Sequence, residues 1–451
     1  MNLTYGIHDK PKFGQTILFA IQQLLAIMAA TIAVPAIIGN GMSQTAALFG
    51  AGVGTIVYLL FTKFNSPVFL GSSFAFLGSM ATAFAGAVSM QAGYAGLLLG
   101  AAFAGLVYVV IAIVVKAVGV GWVNKLMPAV VIGPTVAIIG LSLAGNAVGD
   151  LFTGAVKTEI DGVLVQSAST YVCLLCGLVT LAVTMCCSVF GKKMVKMIPF
   201  ILGILAGYAV AVVFTLIGRA TDTAALQIIN FDLFKTMQWL PDFTFVTAVK
   251  GLREVDGSYV ATVAVAYVPV AFVVFAEHIA DHKNLSTIIG QDLLENPGLH
   301  RTLLGDGVGS IAGAIFGGCP NTTYGESVGC VAISGNASVV TILTTAILAM
   351  VISFFGPFAT FLATIPSCVM GGVCIALYGF IAVSGLKMIQ TVDLGDNRNL
   401  FVVSVILIAG VGGLTISFGP VTVTEVACAL ILGILTNIMV NRKKDKENKE
   451  D

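Results

Sequence analysis

Charged side chains are scarce in this sequence: only 10% of its 451 residues are Asp, Glu, Lys or Arg, while 57% are hydrophobic. A soluble globular protein carries about 25% charged residues. Of the 22 acidic and 22 basic residues, nine lie at positions 442–451, so the rest of the chain has an even lower fraction of charged residues. The composition excludes a water-soluble enzyme or a nucleic-acid binder, because too little polar surface remains to cover a fold in water.

Residues that could carry enzyme chemistry are also few. The chain has four histidines, and its nine cysteines fall within or beside apolar segments, where they are expected to be small buried hydrophobic side chains. Cys173 and Cys176 form a CxxC pair, but no second ligand pair or histidine lies nearby, so zinc or redox chemistry is not expected. We predict that the protein is not an enzyme and needs no metal or cofactor.

Long apolar stretches dominate the rest of the chain. Cutting at charged residues, Pro and Gly gives fourteen apolar segments, and a helix needs about 20 residues to cross a bilayer. The sequence therefore predicts an all-α polytopic protein of the inner or plasma membrane with fourteen transmembrane segments. These are residues 14–39, 45–62, 67–86, 92–115, 128–148, 170–190, 197–218, 258–280, 302–317, 320–335, 338–356, 361–386, 399–417 and 420–440.

The basic residues predict the orientation of these segments. With fourteen segments, 17 of the 22 Lys and Arg fall on the side of both termini, and only five fall on the other side. Cytoplasmic loops are enriched in Lys and Arg, so both termini are predicted to be cytoplasmic. The longest outer connection, residues 219–257, mixes amphipathic stretches with acidic residues and is expected to lie along the outer interface.

An internal repeat divides the chain into two halves. Residues 127–134 (MPAVVIGP) and 365–372 (IPSCVMGG) match at an offset of 238 positions, and they open the fifth and the twelfth segment. The two copies are therefore seven segments apart. Because seven is odd, they must have opposite orientations in the membrane, as in the inverted repeats of secondary transporters. The sequence predicts a 7+7 inverted repeat.

Segments three and ten, which correspond in that repeat, both look broken. The third begins with Pro67 and continues through small and hydroxyl residues to Phe76, and the tenth runs from Pro320 through Asn, Thr and Gly to Ser327. Irregular backbone at membrane depth is tolerated only where it lines a cavity or is buried in protein. We interpret each segment as a short strand leading into a half-helix, whose N-terminus faces a ligand near the midplane. Two re-entrant or surface segments are the alternative.

Acidic residues inside apolar segments are candidates for function, since each is costly to bury. Glu277 and Asp281, four positions apart, lie on one face of the eighth helix. Two neighbouring buried carboxylates repel each other when both are ionised, so one of them is expected to bind a proton. A proton-coupled carrier needs such a group. Asp281 could instead be a solvated helix end, and Asp306 either a proton relay or a polar group near the cytoplasmic face. Glu425, at the start of the last segment, is expected to be structural.

Two further residues are interpreted from helix geometry. Glu326 follows the break from Pro320 to Gly325, so it would lie in the first turn of a half-helix, where the dipole favours an anion. A capping role is the alternative. His278 neighbours Glu277 but points about 100° away around the helix, so a packing role is expected for it.

Several stretches are typical of a known family: AEH at 276–278, PGLHR at 297–301, NTTYGE at 321–326, LGSSFAF at 70–76 and PSCVMGG at 366–372. On these motifs the sequence resembles the nucleobase-ascorbate transporter family over nearly the whole chain, and its uracil-transporting bacterial branch most of all. The resemblance implies proton symport and two domains. Segments 1–4 and 8–11 (residues 14–119 and 258–356) would form a core domain. Segments 5–7 and 12–14 (residues 128–218 and 361–440) would form a gate domain, through which the protein would form a homodimer.

The resemblance also implies a binding site. Glu277 and Glu326 match the two glutamates that hydrogen-bond the pyrimidine, while Phe74, Tyr324 and Gly325 match positions that present backbone N–H groups or an aromatic wall. Uracil has two ring N–H donors, which suit carboxylates, and two carbonyl oxygens, which suit half-helix N–H groups. Purine-preferring relatives typically have Gln at the position of Glu326.

Departures from the family pattern concern the proton route. Asp281 stands where the uracil-transporting branch usually has His, Gln23 replaces a His common in the first segment, and Asp306 resembles an Asp of purine-preferring relatives. Asp281 and Asp306 are therefore the expected proton-coupling residues.

The expected function is proton-coupled import of uracil, with a nucleobase, protons and the lipid bilayer as partners and no nucleic acid. A xanthine or other purine permease of the same family is the alternative, and an anion transporter of the same fold is a more distant one. An ion channel would need rings of charge along several helices, whereas only scattered acidic residues are present.

Overall fold

The computed structural model of the chain describes residues 3–119, 122, 128–154, 156–160, 163–192, 194–237, 239–418 and 421–441. Lys125, Met127, Lys193 and the charged stretch 442–451 lie outside these residues. The first half of the chain forms α1 (Phe13–Ile38), α2 (Gln44–Phe61), α3 (Leu77–Ala85), α4 (Met90–Val118), α5 (Ala129–Ser142), α6 (Ala144–Asp150), α7 (Thr170–Phe190), α8 (Met194–Met197) and α9 (Pro199–Ala220).

The second half is helical as well. It forms α10 (Thr244–Gly251), α11 (Gly257–Ile289), α12 (Leu299–Gly317), α13 (Gly325–Ser334), α14 (Val339–Ile352), α15 (Gly356–Thr364), α16 (Ser367–Ile389), α17 (Asn397–Val411) and α18 (Glu425–Asn441). Short 3₁₀ turns lie at Phe74–Phe76, Ala224–Leu226, Phe231–Thr236 and Leu252–Glu254, and a π-helical turn lies at Leu294–Gly298.

Within the described part of the chain, six short strands form three antiparallel pairs. They are β1 (Leu70–Ser72) with β4 (Asn321–Thr323), β2 (Lys157–Ile160) with β3 (Val163–Gln166), and β5 (Ile416–Phe418) with β6 (Val421–Val423). The strands of segments three and ten were predicted, but the other two strand pairs were not. The predicted thirteenth segment, 399–417, is wrong at its C-terminal end, because α17 ends at Val411 and Ile416–Phe418 forms a strand that pairs with β6.

The eighth predicted segment, 258–280, is shorter than the helix that the structure shows, α11. Its charged residues do not end the helix, which continues for more than two turns beyond Ala280 and stops at Gly290, a residue with φ of 71°. A left-handed glycine is a common helix stop. The twelfth segment, predicted from 361, is divided into α15 and α16, with Pro366 as the N-cap of α16.

Many of the helices are apolar enough to lie in a bilayer. Within the described residues, eight helices are long and apolar enough to cross a membrane. The number becomes nine if α14 and α15, bent by 83° relative to each other, count as one span. The chain is therefore a multi-pass membrane protein.

The helices pack into two bundles, each built from both halves of the chain. The first bundle contains α1–α4 and α11–α14, and the second contains α5–α7, α9 and α16–α18. In the second bundle α5 and α16, which carry the repeated Pro and Gly motif, lie side by side. Their backbones come so close that a Cβ on Gly133 would lie 3.1 Å from the backbone oxygen of Gly385.

Candidate functional site

The two broken segments meet inside the first bundle. β1 pairs with β4 so that Gly71 lies opposite Thr322, and each strand leads into a helix that begins inside the segment. We call Phe74–Ala85 and α13 the two half-helices. A side chain at Gly71 would collide with the Tyr324 ring, so only glycine allows this close approach. The prediction of a short strand followed by a half-helix is confirmed in both segments.

Polar side chains from neighbouring helices hold the strand pair in place. Thr55 of α2 accepts a hydrogen bond from the backbone N–H of Leu70 (2.9 Å). The amide of Asn321 donates to the Gly50 oxygen (3.0 Å), and the Asn321 N–H donates to the Ser310 hydroxyl (3.0 Å). In a bilayer such groups have no water to pair with, so these contacts fix the strands against α2 and α12.

A cavity of about 340 Å³ lies between the half-helices and the second bundle. Ligand pockets typically measure about 300–1,000 Å³, so this volume suits a single small ring. The second bundle supplies a mostly apolar wall that includes Val136, Ile139, Phe200, Leu377, Phe380 and Ile381.

The sequence-predicted site residues mostly come together here. Lining the cavity are all five expected substrate-binding residues and one expected proton-coupling residue: Glu277, Glu326, Phe74, Tyr324, Gly325 and Asp281. Glu326 lies in the first turn of α13, as its position after the break predicted. Asp306, the other expected proton-coupling residue, does not reach the cavity.

Asp281 is not a solvated helix end. It lies inside α11, is partly buried and accepts a 2.8 Å hydrogen bond from the hydroxyl of Thr323, the last residue of β4. The strand of one half-helix thereby contacts an acid on the neighbouring helix. Sequence reasoning missed Thr323, whose only signal was its place directly before Tyr324 in the NTTYGE motif.

The cavity is acidic. Glu277, Asp281 and Glu326 face it, and Lys196 is the one basic side chain among the described residues that line it. Carboxylates accept hydrogen bonds, whereas the first N–H groups of a helix donate them. The cavity can therefore hold a small neutral ring that carries both N–H donors and carbonyl acceptors, with the rings of Phe74 and Tyr324 beside it.

Asp306 and His278 form a buried pair behind the cavity. His278 Nδ1 lies 2.6 Å from a carboxylate oxygen of Asp306, and His278 Nε2 lies 3.0 Å from the Thr302 hydroxyl. The interpretation of His278 as a packing residue is wrong in this respect. The side chain does point away from Glu277, but it points at a carboxylate, and the register between α11 and α12 that brings them together cannot be read from one sequence.

One stretch of α13 fits the GxSxG pattern that is typical of serine hydrolases, from Gly325 to Gly329. Its Ser327 is fully buried and is bonded to the Gln23 amide (2.6 Å) and to the backbone N–H of Phe69 (3.2 Å). These contacts tie the half-helix to α1 and to the chain before β1. Ser327 is therefore a structural residue rather than an exposed nucleophile.

Two broken segments that enclose a polar cavity among membrane-spanning helices define a membrane transporter. A family model described as a permease family matches residues 14–419. The chain belongs to this family and is a transporter rather than an enzyme, and the resemblance seen in its motifs is confirmed.

Similar proteins cover nearly the whole chain. A uracil permease of Bacillus caldolyticus is 38% identical over 446 residues, which is 98% of this chain and 96% of that protein. A uracil permease of Bacillus subtilis (strain 168) is 37% identical over 447 residues, with the same coverage. One of Escherichia coli (strain K12) is 33% identical over 431 residues, or 95% of this chain and 92% of that protein.

Two solved structures share the fold. The transmembrane domain of the cyanobacterial bicarbonate transporter BicA has a TM-score of 0.60 and 17% identity, covering 96% of this chain and all of that domain. The murine anion transporter Slc26a9, in its inward-facing state, has a TM-score of 0.66 and 13% identity, covering 97% of this chain and 70% of that protein. At this identity the likeness concerns the fold alone.

Proposed function

We propose that this chain imports uracil across the inner or plasma membrane by proton symport. The observation that carries the proposal is that Glu277 and Glu326 face one cavity beside the N-termini of two half-helices. Relatives named uracil permeases, similar over nearly the full length, support the choice of substrate.

In the proposed binding mode the two glutamates accept the ring N–H groups of uracil. Backbone N–H groups near Phe74 and Gly325 donate to its carbonyl oxygens, since the first N–H groups of a helix lack intrahelical partners. The rings of Phe74 and Tyr324 flank the pyrimidine. Every polar atom of the ligand then finds a partner of the opposite kind, which is what burial in a membrane protein requires.

Asp281 is proposed to exchange the cotransported proton. It lies one helical turn from Glu277 in the same cavity, and its bond to Thr323 links it to the half-helix that carries Glu326. Protonation of one carboxylate eases ionisation of the other, so substrate and proton can load together. Asp306 is proposed as a relay that takes part in this coupling.

The acidic cavity argues against the alternatives. An anion in the cavity would be repelled by the carboxylates of Glu277, Asp281 and Glu326. This argument stands against the fold likeness, because the solved structures with this fold include anion transporters. A purine permease is the nearer alternative, but Glu326 offers only acceptors when ionised, whereas the Gln typical of purine-preferring relatives also donates.

We further propose fourteen segments in a 7+7 inverted repeat, with both termini cytoplasmic. The core domain, residues 14–119 and 258–356, corresponds to the first bundle, and the gate domain, residues 128–218 and 361–440, to the second. Support comes from Pro128 and Pro366, which are N-caps of α5 and α16. Arg301 also contacts the Phe61 oxygen (3.5 Å), so it lies on the same side as Lys63. Homodimer formation through the gate domain rests on the family resemblance.

Competition for transport tests the substrate. Labelled uracil uptake into membrane vesicles would be measured with excess unlabelled uracil, thymine, xanthine or sulfate. We expect unlabelled uracil to abolish the signal and xanthine and sulfate to leave it unchanged. Equal competition by xanthine would favour the purine permease, and competition by sulfate would favour an anion transporter.

A further inference from the structure

The His278 and Asp306 pair is the most deeply buried ionisable contact in the described part of the chain. His278 is 0% exposed and Asp306 is 1% exposed, and their side chains are 2.6 Å apart. The pair lies between α11 and α12, and the described residues place no Lys or Arg in ion-pair contact with it. A histidine and a carboxylate in contact can share one proton with no net charge.

A second histidine on the same helix has a different role. His282 Nδ1 lies 2.8 Å from the backbone oxygen of His278, and because a carbonyl only accepts, this nitrogen carries the hydrogen. His282 Nε2 forms a 2.7 Å hydrogen bond with the Tyr58 hydroxyl, and that hydroxyl also hydrogen-bonds the Ser66 hydroxyl. Both hydrogen-bond partners of the His282 ring, the His278 carbonyl and the Tyr58 hydroxyl, are neutral. The two imidazole rings stack with centroids 4.0 Å apart, so they cannot both be cationic at low cost.

The pair also borders a small void. The second carboxylate oxygen of Asp306 and the Tyr108 hydroxyl have no hydrogen-bond partner among the described residues. Both residues line a void of about 10 Å³ together with Thr322. A void of this volume is at the lower limit for one water molecule, and the two unpaired groups supply polar partners for it. Thr322 lines both the void and the central cavity.

The surroundings of the pair favour a proton on it. Glu277 and Asp281 of α11, Tyr58 of α2 and Tyr108 of α4 all lie close enough to Asp306 to interact with it electrostatically. These groups are acids and phenols, and the ring of His282 stacks on that of His278. If the pair lost its proton, a buried negative charge would remain near the carboxylates of Glu277 and Asp281.

We propose that His278 and Asp306 together hold the cotransported proton and exchange it with the substrate cavity across Thr322, through a water bound by Asp306 and Tyr108. The inference rests on the proton coupling proposed above and adds His278 and Tyr108 to it. Asp281 is then the acid that faces the substrate, and the pair is the site behind it where the proton resides.

The test compares His278→Gln and Asp306→Asn with the matched control His282→Gln, which removes an equally buried histidine from the same helix. Purified variants in proteoliposomes would be assayed for uracil counterflow and for accumulation driven by a pH gradient. Calorimetry in buffers of different ionisation enthalpy would count the protons taken up with uracil. We expect His278→Gln and Asp306→Asn to bind and exchange uracil but to lose both accumulation and proton uptake, and His282→Gln to keep them.

Other outcomes separate the inference from the proposed function. If His278→Gln and Asp306→Asn accumulate uracil like the parent while Asp281→Asn does not, the inference is overturned and symport stands. Equal loss in His282→Gln would show a structural role and also overturn it. If the parent takes up no protons, the symport proposal itself fails.

A conservative variant covers the case in which the buried substitutions do not fold. Tyr108→Phe removes only the hydroxyl that faces the void, and it should slow accumulation driven by the pH gradient without weakening uracil binding. Accumulation at the parent rate would contradict the proposed route.

Discussion

The hydroxyl of Tyr324 donates a 2.6 Å hydrogen bond to the backbone oxygen of Ser72, although the two residues lie 252 positions apart. The backbone N–H of Ser73 likewise donates to the Pro320 oxygen (2.9 Å). These bonds join the broken segments of the two halves directly beside the N-termini of their half-helices. Segments three and ten, which correspond in the predicted repeat, are therefore in direct contact.

The first prediction concerns the two glutamates. Glu277→Gln and Glu326→Gln should each weaken uracil binding about tenfold or more, because each loses a charge-assisted hydrogen bond of about 1.5–3 kcal/mol. Isothermal titration calorimetry on purified protein measures this loss. Glu295→Gln, at an exposed position outside the cavity, is the control. Parental affinity in both cavity variants would show that the site is assigned to the wrong residues.

The second prediction separates binding from coupling. Asp281→Asn should still bind uracil and support counterflow but fail to accumulate it against a gradient, because Asn imitates a permanently protonated acid. Thr323→Val is the matched variant, since it removes the hydrogen-bond donor to Asp281 and leaves the carboxylate. It should still accumulate uracil. Uphill uptake by Asp281→Asn at the parental level would move the proton role to other acids.

The third prediction concerns the close approach of the two half-helix segments. Gly71→Ala should lower stability by about 1–3 kcal/mol, as overpacking of a filled site does, because the new methyl group meets the Tyr324 ring. Thermal unfolding in detergent would show it as a lower Tm. Gly379→Ala, where a Cβ has open space, should have no such effect. Equal Tm values for the two variants would refute the packing described here.

The fourth prediction concerns orientation. Cysteine introduced at Lys283 should be labelled by a membrane-impermeant maleimide only in inside-out vesicles, and cysteine at Lys235 only in intact cells. Both positions are exposed, and the distribution of basic residues places them on opposite sides. The parent protein supplies the background from native cysteines. Labelling of both positions from one side would contradict fourteen segments with cytoplasmic termini.

Much of the site could be predicted because its signals are local. Pro, Gly and hydroxyl residues in an apolar chain indicate a broken segment, and an acid after the break indicates the first turn of a half-helix, which is where Glu326 lies. The four-residue spacing of Glu277 and Asp281 places both on one face, and both line the cavity.

The remaining features depend on how helices face each other, which a single sequence does not encode. His278 was assigned a packing role because it points about 100° away from Glu277 around the helix. Only the α11–α12 register brings its side chain against Asp306, 28 positions further along the chain. The apolar wall of Leu377, Phe380 and Ile381 resembles any other apolar helix face. The end of the eighth segment was predicted too early because charged residues were taken to end the helix. Asp281 and His282 instead hydrogen-bond buried partners, and α11 continues past them.

Proton symport of uracil can be measured directly as uracil transport driven by a pH gradient. Purified protein would be placed in proteoliposomes with labelled uracil outside, and uptake would be followed with the outer solution more acidic, with no gradient, and with a protonophore. Proton symport requires accumulation above the outside concentration only with the gradient, and the collapse of this accumulation when the protonophore is added. Uracil uptake that merely equilibrates in all three conditions would contradict proton symport.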